Sequence, residues 1–180
     1  MIAASILLIL LGALMVVMVR GQDMFDVLAT RTATQMRVQG VLDRTVKELR
    51  GSALGQLTTG DPIHFLVEGQ PYDNINFIRV ADVVGGVVTW TAPVTYQFVY
   101  DDGEGAHLGV DDDGDGLVDE GTLFRIEGGE RIPVCGRVTG VGFTLSPHNQ
   151  LVIVLTACAV DEKGYVYTYT GYASVSFRNQ

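Results

Sequence analysis

Charged residues are absent from Met1 to Val19, and Lys and Arg are absent from Asp101 to Glu120. Cysteine is scarce, at two in 180 residues, which excludes a small scaffold built on disulfides. None of the five prolines lies before Pro62, so no proline interrupts a helix upstream of it. His64, His107 and His148 are the only histidines, and no two of them stand at metal-ligand spacing. Twelve Lys and Arg in a chain of net charge −9 exclude general nucleic-acid binding. What is present, 47% hydrophobic residues with seven Tyr and seven Phe, excludes a wholly disordered chain and is enough for a real core.

The charge is concentrated. Nine acidic residues lie between Asp101 and Glu120, and the remaining twelve balance the twelve basic ones. The chain therefore divides into an apolar end at 1–21, a stem at 22–52 and a body at 53–180 with an acidic insert at 101–121. The run Met1 to Val19, at about 1.5 Å per residue, gives roughly 28 Å of helix, close to the hydrocarbon thickness of a bilayer. It has no basic leading region and no small-residue cleavage site, so it reads as a retained membrane helix, with a cleaved signal and a buried soluble helix as the rival readings. Arg20, Arg31 and Arg37 follow it, a bias that taken alone places the body in the cytoplasm. The cysteines point to an exported body, and a basic leader upstream of Met1 reconciles the two.

From Gln22 to Arg50 the pattern stays helical, with Leu28, Val38, Val41, Leu42, Thr45, Val46 and Leu49 on one apolar stripe. Asp43 and Lys47, four apart, support the polar side, and Gly51-Ser52 supplies the stop. This predicts one helix of about 50 residues, apolar all round at first and one-sided later. A one-sided stem needs a sheet to cover it.

Alternation after Asp61-Pro62 supplies that sheet. The predicted strands are 63–67, 75–81, 87–91, 94–100, 122–127, 131–134, 137–145, 150–160 and 165–177. Turn chemistry at Gly85-Gly86, Gly128-Gly129, Ser146–Asn149 and Asp161–Gly164 makes neighbours antiparallel. The fold class is thus α+β, with a long N-terminal helix packed on an antiparallel sheet. Tyr165, Tyr167 and Tyr169 share one half-buried face. Cys135 and Cys158 fall one bulge or one turn residue from direct opposition in the last meander. They are either a disulfide, as suits an exported domain, or two buried thiols.

The most specific chemistry lies in Asp111-Asp112-Asp113-Gly114-Asp115-Gly116-Leu117-Val118-Asp119-Glu120. Asp111, Asp113 and Asp115 alternate, Gly116 allows a sharp turn, and the Leu117 carbonyl and Asp119 take the next ligand offsets. Hard oxygens at this spacing suit Ca²⁺. Position twelve of the loop is Thr122, so the usual bidentate glutamate is missing and Glu120 is its candidate replacement. The rival reading is a solvated acidic loop. Asp101, Asp102 and Glu104 either join the site or form its rim. No nucleophile elbow, zincin motif or phosphate loop is present, and the chain reads as a non-enzyme.

A membrane helix running unbroken into an amphipathic stem, then an antiparallel sheet, resembles the type IV pilin and pseudopilin superfamily. Met1 to Ala13 is similar to the segment just after that family's leader-cleavage site. Val41 to Arg50 resembles the stem end of the minor-pilin branch (PilW-like, or the J-class pseudopilin of type II secretion). Val94–Phe98 and Thr122–Ile126 are similar to that branch's paired strands around a variable insert. No Lys/Arg leader, cut-site glycine or Met-Thr-Leu-x-Glu opening stands before Met1, and Ser5 is not the family glutamate. The resemblance therefore implies a start about six residues inside the mature chain.

It also implies a filament subunit that waits in the inner membrane with a periplasmic body. The terminus would be methylated, and the helix would pack against those of other pilin or pseudopilin subunits in a periplasmic or extracellular filament. A second class fits the same residues: a signal-anchored periplasmic module for Ca²⁺-dependent binding or adhesion.

Overall fold

The computed structural model describes residues 2–60, 64–101, 111, 114 and 116–177, with 2–9 and 64 described in backbone only. Helix α1, Ile2–Leu49, is a single element of 48 residues, about 72 Å long. It ends at the expected stop, where Gly51 N–H donates to the Glu48 carbonyl and Ser52 N–H to that of Leu49. Thr34, Val38, Val41, Leu42, Thr45 and Leu49 are buried. Leu28, expected on the same stripe, is 47% exposed, because the covering sheet reaches full contact only from Thr34 onward.

The helix upstream of Gly21 is exposed on every side from Leu10, with Leu10 62% and Met15 71% exposed. Among the described residues no helix is long and apolar enough to cross a membrane. The side chains of 2–9, on which the membrane reading of 1–21 also rests, lie outside those described.

Among the described residues eleven strands follow: β1 Thr58–Thr59, β2 His64–Phe65, β3 Pro71–Tyr72, β4 Asn74–Phe77, β5 Val80–Val84, β6 Val87–Trp90, β7 Val94–Tyr100, β8 Gly121–Glu127, β9 Glu130–Ser146, β10 Gln150–Val160 and β11 Val166–Ser176. The main sheet has the order β11-β10-β9-β8-β7-β4-β1-β2, with β3 also on β9, and its strand pairs are antiparallel. Helix α1 covers one face through β9, β10 and β11. The core gathers Val38, Leu42 and Leu49 of the helix with Phe77, Tyr96, Leu123, Phe143 and Leu155 of the sheet.

Three expected strands are rearranged. The segment 75–81 divides, since Val80 N–H turns away to the Gly51 carbonyl and Thr91 N–H bonds the Arg79 carbonyl. This sends β5 and β6 into a separate hairpin with all nine strand residues exposed. Conversely, 131–134 and 137–145 join in one strand, β9. The break expected between them is a register shift against β8, beside Arg137 at φ 56°.

Helix and β11 run in the same direction. Asp23 meets Lys163, Arg31 lies over the Tyr167 ring at 5.2 Å, Gln39 donates to the Tyr169 hydroxyl, and Val38 and Leu42 lie over Gly171. From Arg31 to the midpoint of Val38 and Leu42 the helix rises about 14 Å, and from Tyr167 to Gly171 the strand rises about 13 Å, so one register serves this part of the seam. A Cβ on Gly171 would stand 2.6 Å from Val38 Cγ1 and 2.7 Å from Leu42 Cδ1, so glycine sets how closely the helix lies. Tyr167 and Tyr169 form the expected half-buried face, while Tyr165 at the hairpin end is 63% exposed.

Candidate functional site

The acidic segment leaves the sheet between β7 and β8, whose ends pair through Tyr100 and Gly121. Asp101 ties its neck: its N–H donates to the Glu120 carbonyl at 3.3 Å, and its carboxylate accepts the Thr122 hydroxyl at 3.0 Å. Asp111 organises the turn. Its Oδ1 accepts the Gly114 N–H at 2.6 Å and its Oδ2 the Gly116 N–H at 3.0 Å. Gly114 (φ 81°) and Gly116 (φ 89°) lie in the left-handed region that glycine enters without steric cost. Asp119 adopts it too, at φ 53°.

Leu117 and Glu120 are both 2% exposed, so this end of the segment is anchored in the body. The burial of Leu117 adds a packing role to a residue chosen in sequence for its carbonyl alone. Asp113 and Asp115 lie outside the described residues, as do Asp102, Glu104 and His107. Among the described residues no group of three or more His, Cys, Asp or Glu gathers as a metal site. Asp111, Asp119 and Glu120 are described and do not gather as such a group, and of the alternating triad only Asp111 is described.

Cys135 and Cys158 are both buried thiols rather than halves of a disulfide. The register shift in β9 explains this. Cys135 sits opposite Leu123 and points into the core, whereas Ala157 takes the core position opposite Val138. Cys158, one residue on, therefore projects from the other face, and its thiol donates to the Arg137 carbonyl at 3.3 Å. Burial pushes the Cys135 thiol above its ordinary value, with Arg37 opposing. A thiol in that setting is poorly ionised and unsuited to nucleophilic work.

The least expected feature is a charged seam beneath the helix end. Arg125 is 6% exposed on β8, on the same face as Gly121 and Leu123. Its Nε donates to Glu48 Oε2 at 2.9 Å and its Nη2 to Glu127 Oε2 at 2.6 Å. Arg79 Nη2 reaches Glu127 Oε1 at 2.7 Å, and Arg44 approaches Glu48 at 3.3 Å. Tyr96, wholly buried and stacked on Phe77, pairs across the strands with Arg125. Burial, reinforced by the Glu48 charge, pushes its phenol up.

Burial works against the Arg125 charge, but the bonds to Glu48 and Glu127 outweigh it and hold the guanidinium protonated beyond its ordinary range. Glu48 lies off the apolar stripe of the stem, so helical periodicity gives no sign of this pair. The available signal was an arginine on the inward parity of an alternating strand, which requires a carboxylate from the element above it.

The seam gives the fold an acid limit. The Arg125 hydrogen bond, against a burial effect and aided by the charges of Arg125 and Arg79, lowers the Glu127 carboxyl from its ordinary value of 4.5. Its stabilising contribution is complete above that value and disappears as pH falls through the lower folded-state value. The melting temperature should therefore decline as pH is taken below about 4.5, and Glu127→Gln should flatten that part of the profile. A profile of identical slope in the variant would remove Glu127 as its cause.

No family model, curated protein or solved structure matches this chain.

Proposed function

We propose that the protein is a structural subunit of a filament of the type IV pilus or pseudopilus kind, assembling through its N-terminal helix. The observation that carries this reading is the division of labour along α1. From Thr34 the helix buries one face against its own sheet, whereas from Leu10 to Val19 it is apolar all round and exposed. Water is a poor neighbour for such a surface, and lipid or a bundle of like helices removes it from water at about 25 cal/mol per Å². In this reading the apolar end rests in the inner membrane, with the body in the periplasm. It then exchanges lipid for the helices of neighbouring subunits in the filament, and the sheets tile the outside.

The acidic segment is read as a Ca²⁺-stabilised loop. Asp111, Asp113, Asp115, the Leu117 carbonyl, Asp119 and Glu120 are its oxygen donors. The Asp111 turn supports this, because two N–H groups hold the carboxylate in place while each oxygen keeps a lone pair for a cation. The cation would neutralise carboxylates that otherwise repel one another.

Intact mass and amino-terminal sequencing of native protein from sheared surface material test the filament role. An N-methylated terminus in that material supports it. Recovery solely from membranes, with an unprocessed terminus, refutes it. Asp113→Ala tests the loop separately: its melting temperature in Ca²⁺ should fall by several degrees, with little change in chelator. Equal losses in both conditions would end the calcium assignment.

A further inference from the structure

Beside the charged seam, a cleft of about 630 Å³ opens between the last turns of α1 and the base of the β5–β6 hairpin. Arg44, Lys47 and Arg79 line it, against Glu48 as the single carboxylate of the lining. Glu48 serves both Arg44 and Arg125, and Glu127 serves both Arg79 and Arg125, so with Lys47 four cations share two carboxylates and the cleft keeps a positive surplus. Arg79 Nε is buried with no hydrogen-bond partner among the described residues. The cleft is therefore electropositive.

We propose that this cleft receives the acidic segment Asp101–Glu120 of a second copy of the chain, as a head-to-tail contact between subunits. The charges match: the segment carries nine acidic residues with no Lys or Arg, while the rest of the chain is balanced. Placement favours a second copy. The segment leaves the β7–β8 pair at Tyr100 and Gly121, whereas Glu127, which holds Arg79 at 2.7 Å, lies opposite Val94 at the other end. Six residue steps separate those ends by about 20 Å. The segment is also anchored at its own end, through buried Leu117 and Glu120.

Complementary patches at opposite ends of one molecule make a heterologous contact, which propagates into an open array. The inference rests on the filament reading for its biological setting and names one contact within it.

The full chain in detergent tests it, with chelator present. Detergent covers the apolar helix, so this assay reads the charged contact alone, while recovery from sheared filaments judges the filament role independently. Sedimentation should show oligomers that grow with protein concentration at about 0.05 M salt and dissolve by about 0.5 M. Lys47→Glu, on an exposed position, should weaken association by roughly tenfold or more without changing the monomer's melting temperature. A second variant, Asp102→Asn with Glu104→Gln and Asp112→Asn, should weaken it similarly.

Mixing the two variants discriminates. Each keeps one competent end, so the mixture should form dimers and stop there. Salt-insensitive monomers of the natural chain, unimpaired association of K47E, or a mixture that fails to pair or runs on into longer arrays would each overturn the contact.

Discussion

Arg125→Ala should destabilise the protein by about 3–5 kcal/mol, the cost of leaving a buried carboxylate without its cation. Glu48 is only 13% exposed at its side chain and takes both Nε contacts of Arg125, at 3.1 and 2.9 Å. Once the guanidinium is gone, the nearest cation left to Glu48 is half-exposed Arg44 at 3.3 Å. Glu127, at 33%, is wet enough to recover some hydration. Chemical denaturation should show the loss as a lower midpoint with an unchanged slope. The double variant Glu48→Leu with Arg125→Met removes both buried charges together and should recover most of it. If the single and double variants lose equal stability, packing of the arginine stem and not the ion pair accounts for the effect.

Gly121→Ala should cost about 2–3 kcal/mol, at the upper end of what overpacking does. A Cβ there would run into the Val99 carbonyl oxygen and stand 2.7 Å from Phe98 Cε2 and 2.8 Å from Tyr100 Cα. Two of those three obstacles are backbone of the paired strand β7, so relief requires the strands to part where the acidic segment begins. Hydrogen exchange at Asp101 and Thr122 should accelerate together with the fall in melting temperature. Exchange unchanged at both amides would show that the strain is absorbed elsewhere. Gly136, whose Cβ would find its nearest neighbour at 3.8 Å, serves as the tolerant control on the next strand.

Much of the fold is legible in sequence because two periodicities dominate it. The three- and four-residue spacing of Val38, Val41, Leu42, Thr45 and Leu49 marks the face that is buried. Alternation in Gln150–Val160 marks a strand whose inward residues Leu151, Ile153, Leu155 and Ala157 all enter the core. Glycine pairs at 85–86 and 128–129, all at positive φ, mark turns that their flanks alone leave undefined. What escaped depends on geometry between elements. Ile75–Ala81 has no local reason to break at Arg79; the break comes from the Gly51 carbonyl, supplied by the helix end. Strands of two residues, such as β1 and β3, carry too little pattern to be seen.

The site divides in the same way. Oxygen donors at ligand offsets are a property of spacing, so Asp111–Glu120 stands out in the sequence. The hold of Gly114 and Gly116 on Asp111 is local enough to follow from an Asx-type turn. The Glu48–Arg125 pair spans 77 positions and declares itself only when helix and sheet meet. The cysteines mark the limit of counting along strands, since a register shift in β9 put them on opposite faces.

The parallel alignment of α1 with β11 has a mechanical consequence. A pull along the helix axis loads the whole seam from Asp23–Lys163 to Leu42–Gly171 in shear, so every contact resists at once. A pull sideways at the free amino-terminal half peels the seam instead, opening the exposed Asp23–Lys163 pair first, then Arg31 on Tyr167, then Gln39 on Tyr169. Those polar contacts are individually weak, and the tightly packed zone from Val38 onward arrests the tear. The seam thus resists a pull along the helix better than a pull across it.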